Sequence, residues 1–109
     1  MWSDVGMIDS TSALVELVAA LDQRLVSARE LLDHHLDRVE RLDGAINSVI
    51  TIESDRARTE AAAVDEARAA GRPVGQLAGV PVTVKDAFAA AGIRSTGGTT
   101  ELRDHVPAE

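Results

Sequence analysis

The chain has no cysteine, which excludes disulfides and thiolate-ligated metals. Aromatic side chains are nearly missing as well: Trp2 and Phe88 are the only two, and there is no tyrosine. No apolar run approaches the roughly 20 residues that span a bilayer. Positive charge is scarce, with 11 basic residues against 18 acidic ones and a net charge of −7. Nucleic acid and anionic membranes are gripped through a local basic patch, and the sequence shows none. The opening Met1-Trp-Ser-Asp-Val lacks the positive region and long apolar core of a signal peptide. A soluble, cytoplasmic chain with no nucleic-acid or membrane partner is expected.

What is present is alanine, 18 of 109 residues, within a hydrophobic share of 45%. That share is too high for a disordered chain, and the length allows at most one domain. Alanine buries little area, so the core available to this chain alone is thin.

Residues 10–24 read as a short helix, with Leu14, Leu17, Val18 and Leu21 at helical spacing and Ser10, Thr11 or Ser12 as its cap. Ser27-Ala-Arg-Glu30 fits a capping box that opens a second helix. Leu32, His35, Leu36, Val39 and Leu42 form its apolar stripe, and Gly44 is the expected left-handed stop. Ile46–Ile52 is rich in β-branched residues and predicts a strand. Ser54 is the expected cap of a third helix that runs to Ala70 and is stopped by Gly71 and Pro73. Ala57, Ala61 and Val64 are its packing residues, while Glu53, Asp55, Glu60, Asp65 and Glu66 read as a solvated face. Residues 80–85 predict a second strand, with Val80, Val82 and Val84 on one face and Pro81, Thr83 and Lys85 on the other. Helix, helix, strand, helix, strand implies an α/β layer arrangement, and two strands are too few for a covered sheet. The pattern reads as the opening of a larger α/β domain.

Lys85, at the end of an apolar strand, is the leading candidate for chemistry. An ammonium is costly to bury, so such a lysine either reaches solvent or titrates low, and a neutral amine is a general base. Because neighbouring strand residues point to opposite faces, spacing implies no contact between Lys85 and Asp86. Ser95, Thr96, Thr99 and Thr100 interleave with Gly97 and Gly98. Such a run is either a solvated loop or a set of hydroxyls and N–H groups around an anion or developing oxyanion. It lacks the lysine and spacing of a phosphate-binding loop. His34 and His35 are adjacent on the second helix without metal-ligand spacing, and His35 reads as a satisfied core histidine. His105 has no partner legible in the sequence. No metal or cofactor site is expected.

Ser27-Ala-Arg-Glu-Leu-Leu-Asp33, Arg38-Val-Glu-Arg-Leu-Asp-Gly-Ala-Ile-Asn47 and Leu77-Ala-Gly-Val-Pro-Val-Thr-Val-Lys-Asp86 together resemble the start of the amidase signature family. Asp104-His-Val-Pro-Ala-Glu109 is similar to the family segment that leads into its next helix. The resemblance runs from about residue 10 to the end, and its most specific string is Gly-Val-Pro-Val-x-Val-Lys-Asp. It implies N-terminal helices plus the first strands of a mixed-sheet α/β domain. Residues 10–71 would be a helical part with one strand, and residues 77–109 the start of the catalytic sheet region. It also implies hydrolysis of a carboxamide by a Ser–cis-Ser–Lys triad, with Lys85 matching the catalytic lysine and a small-molecule amide as substrate.

Three departures bear on that expectation. The family's Gly-Gly-Ser-Ser-Gly-Gly-Ser type stretch, which carries both serines, has no counterpart in residues 1–109. Thr99 stands where the family often has serine after a Thr-Thr-Ala-Gly run, here Ser95-Thr-Gly-Gly98. Asp86 is followed by Ala87, where many members have asparagine. The sequence therefore reads as the N-terminal portion of an amidase, truncated before the serine-rich motif and inactive alone. Two alternatives stand beside it: a non-catalytic remnant or docking module, and part of the amidase subunit that releases ammonia from glutamine during transamidation of charged tRNA.

With sheet residues Ile50, Ile52, Val80, Val82 and Val84 lacking partner strands, the isolated chain is expected to be partly molten or self-associated through exposed sheet surface. Binding of a hydrophobic dye, together with concentration-dependent sedimentation, is the expected result. A monomer that unfolds sharply without dye binding contradicts it.

Overall fold

The computed structural model describes residue 9 and residues 11–108. They form two compact units, one of residues up to 49 with 54–81, the other of residues 50–53 with 82–108. The first unit is helical. It holds α1 (Leu14–Asp22), α2 (Ala28–Leu42), a 3-10 turn (Asp43–Ala45) and α3 (Ser54–Ala69).

α1 starts later than its spacing predicts. Its N-cap is Ala13, whose N–H donates to the Glu16 carboxylate at 2.9 Å, while alanine offers no acceptor in return. Of the expected caps, Ser10 lies outside the described residues. Ser12 Oγ accepts from Asp9 N–H at 2.8 Å, and Thr11 donates to the Asp9 carboxylate from both its N–H and its hydroxyl. These bonds form a turn before the helix and draw the two hydroxyls away from its end. At the other end Arg24 takes a left-handed φ of 57°, with Leu25 N–H bonded to the Ala20 carbonyl. That conformation is unfavourable for a side chain with a Cβ. The Arg24 guanidinium donates to the Arg68 carbonyl, and Arg68 reaches back to the Asp22 carboxylate at 2.7 Å.

α2 opens on the expected capping box: Ser27 Oγ accepts from Glu30 N–H at 3.0 Å, and Glu30 accepts from Ser27 N–H at 3.1 Å. The two N–H groups between them, on Ala28 and Arg29, go to the Asp65 carboxylate at 2.7 and 3.0 Å. Asp65 therefore does not lie on a solvated face. It closes the N-terminus of α2, and the four N–H groups there are all bonded. The buried face of α2 is Ala28, Leu31 and Leu32, with Leu36 packed beside them and Leu42 exposed. It shares Leu32 and Leu36 with the predicted stripe but reaches about one turn further towards the N-terminus, to Ala28 and Leu31. Leu17, Ala20 and Leu21 of α1, Val26, and Ala61 of α3 complete the core, with Ala57, Val64 and Val80 against it.

α2 does not stop at Gly44. The chain runs into the 3-10 turn, and the left-handed residue is Asn47, at φ 56°. The Asp43 carboxylate collects the N–H groups of Ser48 and Val49 and the Ser48 hydroxyl. α3 does stop at Gly71, φ 71°: Gly71 N–H bonds to the Arg68 carbonyl and Arg72 N–H to that of Ala67, a Schellman ending. Arg68 then donates to the Ala78 carbonyl at 3.0 Å and brings Gly79 onto the core. At φ 93°, a Cβ on Gly79 would lie 2.9 Å from Ala28 Cβ, so glycine is the residue that fits.

Neither expected strand forms among the described residues. Residues 46–49 are absorbed into the turn on Asp43, and Ile50 and Ile52 are exposed. Val80 packs on the helical core, while Val82 and Val84 are 77% and 63% exposed. A strand exists through hydrogen bonds to a neighbouring strand, and none is present among the described residues to supply them. The exposed apolar residues of these two segments thus lie in turn and loop, not on the face of a sheet.

Asp65→Ala leaves two N–H groups of α2 without acceptors and should lower stability by about 1–2 kcal/mol. The exposed neighbour Glu66→Ala should change little. Urea unfolding of both variants at equal m-value is the measurement.

Candidate active site around Lys85

The second unit is built from turns. Lys85 is the only lysine in the sequence. Its carbonyl accepts from Phe88 N–H at 3.0 Å and closes a turn, and its side chain is exposed. Among the described residues no ion pair joins it to a carboxylate.

Asp86 turns instead to the hydroxyl-rich segment. Its carboxylate accepts from Thr96 N–H at 2.8 Å and from the Thr96 hydroxyl. The hydroxyl bond first, then the N–H bond, holds Asp86 below the ordinary carboxylate range, with Gly98 N–H and the Arg94 charge adding to it. Thr96 Oγ1 also accepts from Gly98 N–H at 3.3 Å. The left-handed φ values of Gly97 and Gly98, 58° and 76°, let the chain curl tightly enough for this.

Ser95 and Thr96 are each 8% exposed. Ser95 Oγ donates to the Ile93 carbonyl and accepts from Ala90 N–H, while Ser95 N–H donates to the His105 carbonyl at 2.9 Å. Thr99 bonds back to the Thr96 carbonyl through both its N–H and its hydroxyl, at 3.0 and 3.2 Å. Thr100 is exposed and offers its carbonyl to Arg103. The Thr96 N–H is therefore committed to Asp86 and the Gly98 N–H to Thr96 Oγ1. Asp86 is the anion that this loop holds.

Other candidates lie elsewhere. On α2, His35 Nδ1 is bonded to the Leu31 carbonyl at 2.8 Å, as a satisfied core histidine should be. The ring of His34 stands edge-on to it at 5.8 Å, and burial, followed by the His35 charge, holds His34 below the ordinary histidine value. His105 contributes its backbone, the acceptor for Ser95. The Asp86–Thr96 pairing is one that sequence reasoning misses. Its only signal is an aspartate ten residues before a threonine that precedes two glycines, and strand geometry at residues 80–85 gives no reason to join them. An open groove between α2 and α3, lined by Arg29, Arg58, Thr59, Ala62, Ala63 and Glu66, belongs to the helical unit and does not include Lys85. No helix among the described residues is long and apolar enough to cross a membrane.

Of the two courses open to such a lysine, Lys85 takes the one that reaches solvent. The family model for Amidase matches residues 30–109, and this chain belongs to that family. It is 43% identical over 95 residues to a glutamyl-tRNA(Gln) amidotransferase subunit of Synechococcus sp. (strain CC9311), covering 87% of this chain and 20% of that protein. To the corresponding amidotransferase subunit of Gluconobacter oxydans (strain 621H) it is 47% identical over 88 residues, covering 81% and 18%. A crystal structure of a bacterial aryl acylamidase of the amidase signature family superposes with a TM-score of 0.84 at 37% identity, over 89% of this chain and 20% of that one. The chain spans about a fifth of the length of the relatives it matches.

The lowered Asp86 value has a sign. The carboxylate bonds to Thr96 are fully present above the ordinary aspartate value (about 3.9) and are lost as pH falls through the lower folded value. The Thr96 amide resonance should follow a titration with its midpoint below about 3.9, and Asp86→Asn should abolish that titration.

Proposed function

We propose that this chain supplies the general base of an amidase that hydrolyses a carboxamide C–N bond to acid and ammonia. The observation that carries the reading is the family match over residues 30–109, which contains the string Gly79-Val-Pro-Val-Thr-Val-Lys-Asp86 with the chain's only lysine exposed at its end. Lys85, as the neutral amine, takes a proton through a bridging serine from the nucleophilic serine. That serine attacks the amide carbonyl, and backbone N–H groups of a glycine-rich loop hold the oxyanion. The proton returns to the departing nitrogen, ammonia leaves, and water cleaves the acyl-enzyme to release the acid and the free serine. The two serines of this Ser–cis-Ser–Lys scheme are not among residues 1–109, so a polypeptide segment beyond these residues must provide them. The substrate is a small amide in the cytoplasm, and residues 77–109 form the start of the catalytic region.

A second reading, favoured by identities of 43% and 47% to amidotransferase subunits, is that the amide is glutamine and the ammonia passes to charged tRNA within a multi-subunit enzyme. It shares Lys85 and differs in substrate and partner proteins.

Exchange of these residues for the matching fifth of the Synechococcus protein tests both. Ammonia release by the chimera should fall by about 10³-fold or more in Lys85→Ala. The 109-residue chain alone should show no turnover above its own Lys85→Ala variant, and clear turnover there overturns the proposal.

A further inference from the structure

We propose that Asp86 is a positioning residue for this base: its carboxylate fastens Thr96 to the turn that carries Lys85 and so sets where the lysine stands. The inference rests on the reading of Lys85 as general base.

Asp86 follows Lys85 directly, with Cα atoms about 3.8 Å apart across the peptide bond, so restraint of one restrains the other. Both carboxylate oxygens are engaged by one residue, Oδ1 by Thr96 N–H at 2.8 Å and Oδ2 by the Thr96 hydroxyl. Two bonds to one partner fix direction as well as distance. Thr96 is itself anchored. It is nearly buried, its Oγ1 accepts from Gly98 N–H, and its carbonyl accepts from Thr99 N–H and Oγ1. Ser95 beside it is tied to the His105 carbonyl. On the other side of the turn, Phe88 N–H holds the Lys85 carbonyl. The main chain at Lys85 is thus held through its own carbonyl and through its neighbour's side chain, whereas its amine is left exposed. With both oxygens already accepting bonds, Asp86 is badly placed to move a proton itself, so its contribution is geometric.

Proton transfer needs the lysine nitrogen within about 2.6–3.2 Å of the hydroxyl it serves. A displacement of about 1 Å costs up to about 10²-fold in rate without needing to alter substrate binding. Loss of the tether should therefore appear in kcat.

The single lysine makes the first arm of the test direct. In the chimera described above, with 15N-lysine confined to residues 1–109 by segmental ligation, one backbone amide signal is labelled, that of Lys85. Asp86→Ala and Thr96→Val should each shift and broaden it, and Thr96→Ser, which keeps the hydroxyl, should not. In the chimera described above, Asp86→Ala and Thr96→Val should lower kcat by about 10–100-fold with KM within about twofold of the parent. Thr96→Ser should restore kcat to within about threefold, and the double variant should be no slower than the slower single one. The proposal is overturned if Asp86→Ala changes kcat by less than about twofold, if Thr96→Ser is as damaging as Thr96→Val, or if the two single losses multiply. Lys85→Ala in the same chimera separates the two claims. If it keeps full turnover, the reading of Lys85 as base falls. If it abolishes turnover while Asp86→Ala does not slow it, the positioning role alone falls.

Discussion

The carboxylate of Asp65 lies across the first turn of α2, and the helical unit is organised around that contact. A helix begins with N–H groups that its own ladder cannot satisfy. Here Ser27 and Glu30 serve two of them locally, and Asp65 of α3 serves the two in between. A negative charge at that end also meets the favourable end of the helix dipole. The contact sets the angle and height at which α3 meets α2. Ala61 and Ala28 are both buried, and small side chains of that kind let the backbones approach closely. Gly79 continues the same close packing, with no room for a Cβ against Ala28. In a chain so rich in alanine, directional polar contacts do much of the positioning that bulky side chains do in other cores.

Arg68 shows the same economy. Its guanidinium joins the Asp22 carboxylate at the end of α1 to the Ala78 carbonyl of the following loop, and its own carbonyl accepts from Arg24. One side chain thereby ties α1, α3 and the 72–79 loop together. The second unit uses aspartate in the equivalent way. Asp86 gathers Thr96 much as Asp43 gathers Ser48 and Val49, through a hydroxyl and backbone N–H groups. Each is a local knot that orders a turn without a hydrophobic core.

Much of the helical unit is legible in the residues themselves. The capping box at Ser27, the Gly71 stop and the packing line Ala57–Ala61–Val64 stand where their spacing predicts, because helix ends and faces are governed by contacts within four residues. His35 is legible for the same reason, its bond being to Leu31 one turn back. The α1 cap and the Gly44 stop mislead, since Asp9 and Asp43 offer the same hydroxyls and N–H groups a competing turn. The site is legible in part. Lys85 and the hydroxyl run stand out by composition and by family resemblance, but the bond between Asp86 and Thr96 spans ten residues of irregular chain, and no periodicity encodes it.

The sequence by itself determined the three helices, the family and the lysine at the centre of the proposed chemistry. These depend on local hydrogen bonding and on residue identity. Tertiary structure alone decided that Asp65 faces a helix end rather than water, and that Asp86 is held by Thr96 rather than by Lys85. It also decided that residues 46–52 and 80–85, β-rich as they are, form no strand among the described residues. The reason is common to all three: a carboxylate or a strand has its bonding partner far away in sequence, and only the folded arrangement of other elements says whether that partner is there.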